Sequence, residues 1–263
     1  MERRQFLAAS LAASTLAAGG AIAAPAAANP REFYQLRRYN LRTGPQLKLT
    51  EDFFANALIP AATRLSLGPL GAFKLDIGER TPAYYLLIPG PSAAALAELD
   101  LRLAEDPEFL EAAAPFWKAT ALAPAFQDVE ITLLAAFKGW PKVTPPAAAA
   151  TRSERIFQLR TYRSPSNADH VRKVEMFHAG EFDIFRKAGF HPVFFGDALA
   201  GSLLPHLTYM LSFKDSAELE AKWDVFRNDP AWKQLSTSPR YGSDQLVTNI
   251  DNLLLSPLAC SQI

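Results

Sequence analysis

Two short runs carry the side chains best equipped for chemistry: Gln35-Leu-Arg37-Arg-Tyr39 and Gln158-Leu-Arg160-Thr-Tyr162. Each spaces an amide, a guanidinium and a phenol two residues apart, a set suited to a ligand carboxylate or enolate. The alternative is that each arginine meets an acidic residue and merely fixes register. Four histidines, His170, His178, His191 and His206, all fall in the second half of the chain. His178 stands within a helical turn of Glu175 and Glu181, and a carboxylate at that spacing can orient an imidazole as a general base. His206 opens the run His206-Leu-Thr208-Tyr-Met210. His178 and His206 are therefore the candidate catalytic residues, against plainer roles as a packing histidine and a loop-edge residue.

Other chemistries find little support. His170 and His178 are eight residues apart, about 12 Å along a helix, too far to share an ion. Cys260 is the only cysteine, which rules out an internal disulfide and a multi-thiolate metal site. No glycine-rich phosphate loop or nucleophile elbow occurs. Neither a metal nor a cofactor is expected, and a haem held by a single His178 or His206 is the one opening left. Lys plus Arg equals Asp plus Glu at 27 each, without basic runs, so nucleic acid is not an expected partner.

The elements that must position these residues come in duplicate. The two runs lie 123 residues apart, and at the same offset Pro69 matches Pro192, Pro82 matches Pro205, and Asp106-Pro107 matches Asp229-Pro230. In the second copy, period-two alternation predicts a strand over 155–162, and an amphipathic stripe predicts a helix over 168–188 ended by Gly189. Strands at 192–195 and 206–213, a helix over 215–226 capped by Asp215 or Ser216, a short helix over 231–236 and a last strand over 245–255 follow. The first copy reads the same way, with strands at 32–40, 70–77, 83–88 and 128–137 and helices at 47–65 and 93–103. The order βαββαβ is that of a ferredoxin-like unit, and one such unit leaves a sheet face bare. The expectation is an α+β chain of two tandem ferredoxin-like domains, 31–140 and 153–257, joined by a Pro/Ala linker at 141–152 and closed into an intramolecular dimeric α/β-barrel.

Alternation also assigns faces. Tyr34, Leu36, Phe157 and Leu159 are expected under the helices, with Gln35, Arg37, Tyr39, Gln158, Arg160 and Tyr162 inside the barrel. On the third strand, Leu207, Tyr209, Leu211 and Phe213 are expected under the helices, and His206, Thr208 and Met210 inside. Residues 1–28 read as a twin-arginine signal peptide: Arg3-Arg4, a short Ala/Leu run too weak for a membrane span, and small-residue cleavage sites. A periplasmic or secreted location follows.

With the strand 157–162, the run Pro205-His-Leu-Thr-Tyr-Met-Leu-Ser-Phe213 and the run Trp223-Asp-Val-Phe-Arg-Asn-Asp-Pro-Ala-Trp-Lys-Gln-Leu235, the chain resembles the NIPSNAP family of the dimeric α/β-barrel superfamily. The resemblance is weaker in the first half, where Phe109 replaces the tryptophan. It implies the tandem barrel fold but supplies no activity. The functional expectation is a small-molecule binder for an apolar or aromatic compound held in the barrel, with a cofactor-free enzyme within the same reading. The competing class is a non-catalytic periplasmic binding or assembly protein, including a homo-oligomer formed through outer helix faces.

Overall fold

The computed structural model describes residues 31–242 and 246–263, and the expected signal peptide at 1–28 lies outside them. Arg31–Ile263 form one compact unit. Its first half runs β1 (Phe33–Asn40), α1 (Pro45–Phe53), a π turn (Phe54–Leu58), α2 (Ile59–Arg64), β2 (Gly71–Ile77), β3 (Ala83–Gly90), four short helices α3 (Ala93–Ala97), α4 (Leu99–Leu103), α5 (Pro107–Ala112) and α6 (Ala114–Trp117), then β4 (Asp128–Ala136). After α7 (Ala147–Thr151), inside the expected linker, come β5 (Ile156–Arg163), α8 (Asn167–Met176), a π turn (Phe177–Glu181), α9 (Phe182–Lys187), β6 (His191–Ala200), β7 (His206–Phe213), α10 (Ser216–Asn228), α11 (Pro230–Ser236) and β8 (Asn249–Pro257). Even the π turns keep the offset, since 54–58 maps onto 177–181. Local signals explain the boundaries. Asp106 and Asp229 accept backbone N–H bonds as N-caps with proline at the first helical position, and Gly189, at φ 75°, ends the helical run after Ala188.

The eight strands close into one antiparallel barrel in the order β1-β3-β2-β8-β5-β7-β6-β4. Each half supplies four neighbouring strands, and the seams are backbone pairings between halves: β2 with β8, as in Leu75 opposite Leu255, and β4 with β6, as in Leu134 opposite Ala198. That second seam explains why β6 runs on to Ala200, past the expected end at 195. Its last residues find their hydrogen-bond partners on the other half, so no sheet edge is left open.

Three apolar cores result. One lies between the first half's strands and helices and includes Tyr39, Phe54, Tyr84 and Leu86. Its counterpart in the second half includes Tyr162, Phe177, Tyr209 and Trp223. The third fills the barrel and draws on both halves: Tyr34, Leu36, Phe73, Phe157, Leu159, Val193, Phe194, Met210 and Ile263. This corrects the face assignment on β1 and β5. Tyr34, Leu36, Phe157 and Leu159 point into the barrel, while Gln35, Arg37, Tyr39, Gln158, Arg160 and Tyr162 lie on the helix side. The register requires it: Arg160 sits opposite Tyr209 and Leu159 opposite Met210, and directly paired residues share a face. The β7 assignment, with His206, Thr208 and Met210 inside, agrees with the same register.

Candidate functional site

The two arginines occupy equivalent places and meet different neighbours. Arg37 is buried; its Nε donates to Gln35 Oε1 at 2.6 Å, and one terminal nitrogen donates to Asp100 Oδ1 at 2.8 Å. Gln35 in turn donates to the Leu96 carbonyl at 2.9 Å, and Tyr39 Oη lies 3.5 Å from the guanidinium. Burial opposes the Arg37 charge, but Tyr39 and Asp100 outweigh it and hold the group above its ordinary pKa. Arg37 is thus satisfied by a carboxylate, and the cleft beside it measures about 430 Å3.

Arg160 has no carboxylate partner among the described residues. At the 123-residue offset Asp100 becomes Trp223 and Leu86 becomes Tyr209. The guanidinium lies 4.4 Å from the Trp223 ring centroid, and both Nε and a terminal nitrogen donate to Tyr162 Oη at 3.2 and 3.0 Å. Tyr162 and Tyr209 share a 2.8 Å hydrogen bond. With both phenol lone pairs of Tyr162 occupied by Arg160, its own proton goes to Tyr209. Gln158 accepts from Trp223 Nε1 at 2.7 Å and so fixes the indole plane. Burial again opposes the Arg160 charge, and the Tyr209 and Tyr162 oxygens outweigh it. Burial also pushes the Tyr209 phenol well above its usual range, so it stays protonated.

Gln158, Arg160, Tyr162 and Trp223 line a cleft of about 750 Å3 between the sheet and the helices, with Trp223, Phe226 and Trp232 as its aromatic walls and Tyr209 buried behind it. Lys173 and Glu181 also line it, joined by a 2.8 Å ion pair, each side chain only 2% exposed. Their equivalents in the first half are Thr50 and Leu58. Trp223, Tyr209, Lys173 and Glu181 were missed by reading single motifs. Comparing the copies position by position would have found them, because all four differ from their mates while the arginine does not.

The expected catalytic pair is not brought together. His178 Nδ1 lies 2.9 Å from the Val174 carbonyl, and its Nε2 accepts from the Gly139 N–H at 3.1 Å. The first contact requires the proton on Nδ1 and the second requires a free lone pair on Nε2, so both nitrogens are committed to backbone. Glu175 is bound by Arg240 and Tyr241, and Glu181 by Lys173. Among the described residues no carboxylate orients His178, which corrects the expected pairing with Glu175 or Glu181. His206 and Thr208 lie on the barrel side, apart from Arg160, and Met210 is packed in the barrel core. Among the described residues no cluster of His, Cys, Asp and Glu is arranged to hold a metal ion, and no helix is long and apolar enough to cross a membrane.

No curated protein matches the chain by sequence. Its fold is similar to that of a proposed monooxygenase from Lactobacillus acidophilus NCFM, at 10% identity and TM-score 0.55, covering 86% of this chain and 94% of the other. A proposed monooxygenase from Fusobacterium nucleatum is similar at 9% identity and TM-score 0.55, over 88% and 94% of the two chains. An anthrone oxidase-like protein is similar at 12% identity and TM-score 0.53, over 88% and 93%. Residues 157–262, which hold Arg160, Tyr162, Lys173, Tyr209, Trp223 and Trp232, match the NIPSNAP family.

Proposed function

We propose that this protein is an exported, tandem NIPSNAP-like barrel that binds a small aromatic or apolar anion in the second-half cleft, with Arg160 as its charge partner. The reading includes two ferredoxin-like domains, 31–140 and 153–257, and delivery by the twin-arginine segment at 1–28. The observation that carries it is the divergence of the copies around a shared arginine. Thr50, Leu58, Leu86 and Asp100 of the first half stand where the second has Lys173, Glu181, Tyr209 and Trp223. A buried ion pair and an arginine stripped of its carboxylate are poor ways to stabilise a fold that the first half builds without them. They suit a cleft that receives a negative charge against flat aromatic walls.

A phenolate or enolate meets the same description as a carboxylate. Held by Arg160, an aromatic ligand that arrives as its enolate or phenolate would have that charge stabilised. The anthrone oxidase-like description of one structural neighbour is in keeping with such a ligand.

The test is titration of the purified protein with 1-naphthoate, followed by tryptophan fluorescence. Arg160→Ala is expected to weaken binding about tenfold or more, the worth of a charge-assisted bond, with little change in melting temperature. Arg37→Ala, which leaves the buried Gln35 oxygen without its donor while water takes up the half-exposed Asp100, is expected to cost about 1–3 kcal/mol of stability and to leave naphthoate affinity intact. Equal destabilisation by the two substitutions, with no effect on naphthoate, would sink the proposal.

A further inference from the structure

The barrel is not filled along its whole length. At one end Phe73, Phe157, Val193, Phe194 and Ile263 pack into a continuous core. At the other, where His206 and Thr208 begin β7, a cavity of about 480 Å3 opens, separate from the Arg160 cleft and sharing with it only the rim residues Asn249 and Ile250. The volume lies within the range of small-molecule sites.

Its origin is again the divergence of the copies. Arg38 and Tyr85 line one side, and their equivalents at the 123-residue offset, Thr161 and Thr208, line the other. A large pair faced by a small pair leaves room that two large pairs would have closed. The inner wall is apolar, formed by Leu36, Leu159 and Leu253. Two of the ion pairs at the opening are closed, and Arg38 is held by backbone rather than by an acid. Arg163 holds Asp251 at 2.9 Å, and Glu130 is held by Arg80 at 2.7 Å. Arg38 donates to the backbone carbonyls of Glu79 and Arg80 and lies 5.7 Å from the Tyr85 ring centroid. The Glu79 carboxylate stands at the exposed rim.

Apart from the buried Nε atoms of Arg38 and Arg163, which make no hydrogen bond among the described residues, the polar groups with capacity to spare are neutral. Thr161 and Thr208 share a 2.9 Å hydroxyl contact, and Thr208 Oγ1 lies 3.5 Å from His206 Nδ1, with Thr208 1% and His206 4% exposed. The Tyr85 hydroxyl has no hydrogen-bond partner among the described residues, and burial pushes its pKa up to about 12, so it remains a donor at neutral pH. A donor on one side, a hydroxyl chain on the other and an apolar wall between them match one class of ligand.

We propose that this barrel mouth is a second binding site, for an uncharged, mainly apolar alcohol, phenol or ketone whose oxygen bridges Tyr85 and the Thr161–Thr208 pair. It is independent of the Arg160 cleft and differs from it in charge preference.

The probe is 1-naphthol, the neutral analogue of naphthoate, titrated by calorimetry at neutral pH against the whole protein. One saturable site is expected, retained in Arg160→Ala. Tyr85→Phe and Thr161→Val, which keep shape and remove one hydroxyl each, are expected to weaken it about three- to tenfold. Thr208→Tyr, which restores the larger side chain of the first copy, is expected to abolish it in a variant that keeps the native circular dichroism. Naphthol binding that survives all three substitutions, or that disappears in Arg160→Ala, would overturn the proposal. If Thr208→Tyr does not fold, the Tyr85→Phe and Thr161→Val titrations decide alone. Loss of naphthoate binding with naphthol binding intact would leave this site standing and remove the other.

Discussion

At the scale of single residues, the copies explain each other better than either explains itself. Arg37 with Asp100 is a finished ion pair, and Arg160 with Trp223 is the same residue with its acid removed. His206, equivalent to Ala83, is a second such case, and it carries a pH signature. Burial first, and then the nearby His170, lower its pKa below the ordinary value near 6.5, with Arg163 adding to them, against the opposing effects of the Ser202 backbone and Asp197. The unfolded chain therefore binds a proton over a range where the folded one does not, and stability rises with pH across that range. Lowering the pH from about 7.5 to about 5 should cost wild-type stability through this group, the loss beginning near the unfolded value and levelling off below the folded one. His206→Asn should lose less over the same interval, measured by urea unfolding at each pH. Identical pH profiles would show that His206 is not the group responsible.

At the scale of elements, the long helix of each half passes through a π turn at the same place, and only the second one carries charge. The Lys173–Glu181 pair joins α8 to the end of that turn. Lys173→Thr alone strands a buried carboxylate and should cost about 3–5 kcal/mol. Lys173→Thr with Glu181→Leu reproduces the first half's residues and should return stability to wild type or above, as read from denaturant midpoints. A double variant as unstable as the single one would mean that the pair is part of the scaffold.

Element order was legible because each strand and helix kept its own period: β7 was placed at 206–213 and α11 within a residue. The faces of β1 and β5 were not. Both faces of these strands are covered, one by helices and one by the opposite sheet, so polar against apolar does not say which side is out. Gln35, Arg37 and Tyr39 have the polarity of interior groups, yet Leu96 and Asp100, the partners of Gln35 and Arg37, stand on the helical side of the sheet. Pairing β5 with β7 would have settled it, since Arg160 lies opposite Tyr209. The cleft itself was illegible in any single motif, because it depends on residues as distant as Arg160, Lys173 and Trp223.

At the scale of the whole molecule, the barrel core belongs to neither half. Phe73 and Leu87 come from the first, Phe157 and Met210 from the second, and each half alone would expose its share to water. Residues 153–263 produced separately should therefore dimerise. β6 would pair with β8 of a second copy, because β6 and β8 correspond to β2 and β4, which form the seams of the native barrel. Sedimentation should show a dimer whose melting temperature rises with protein concentration. A stable monomeric fragment would show that the shared core is dispensable.

The connection from β4 to β5, which carries α7, has a bearing on where such a protein can work. Two separate barrel halves would be held together by mass action and would come apart on dilution. Tethered, they meet at an effective concentration on the order of millimolar whatever the amount of protein present. The tether also lifts the requirement that both halves be alike, since a change in one is not copied into the other. A barrel built this way keeps the cavity at its mouth when scarce.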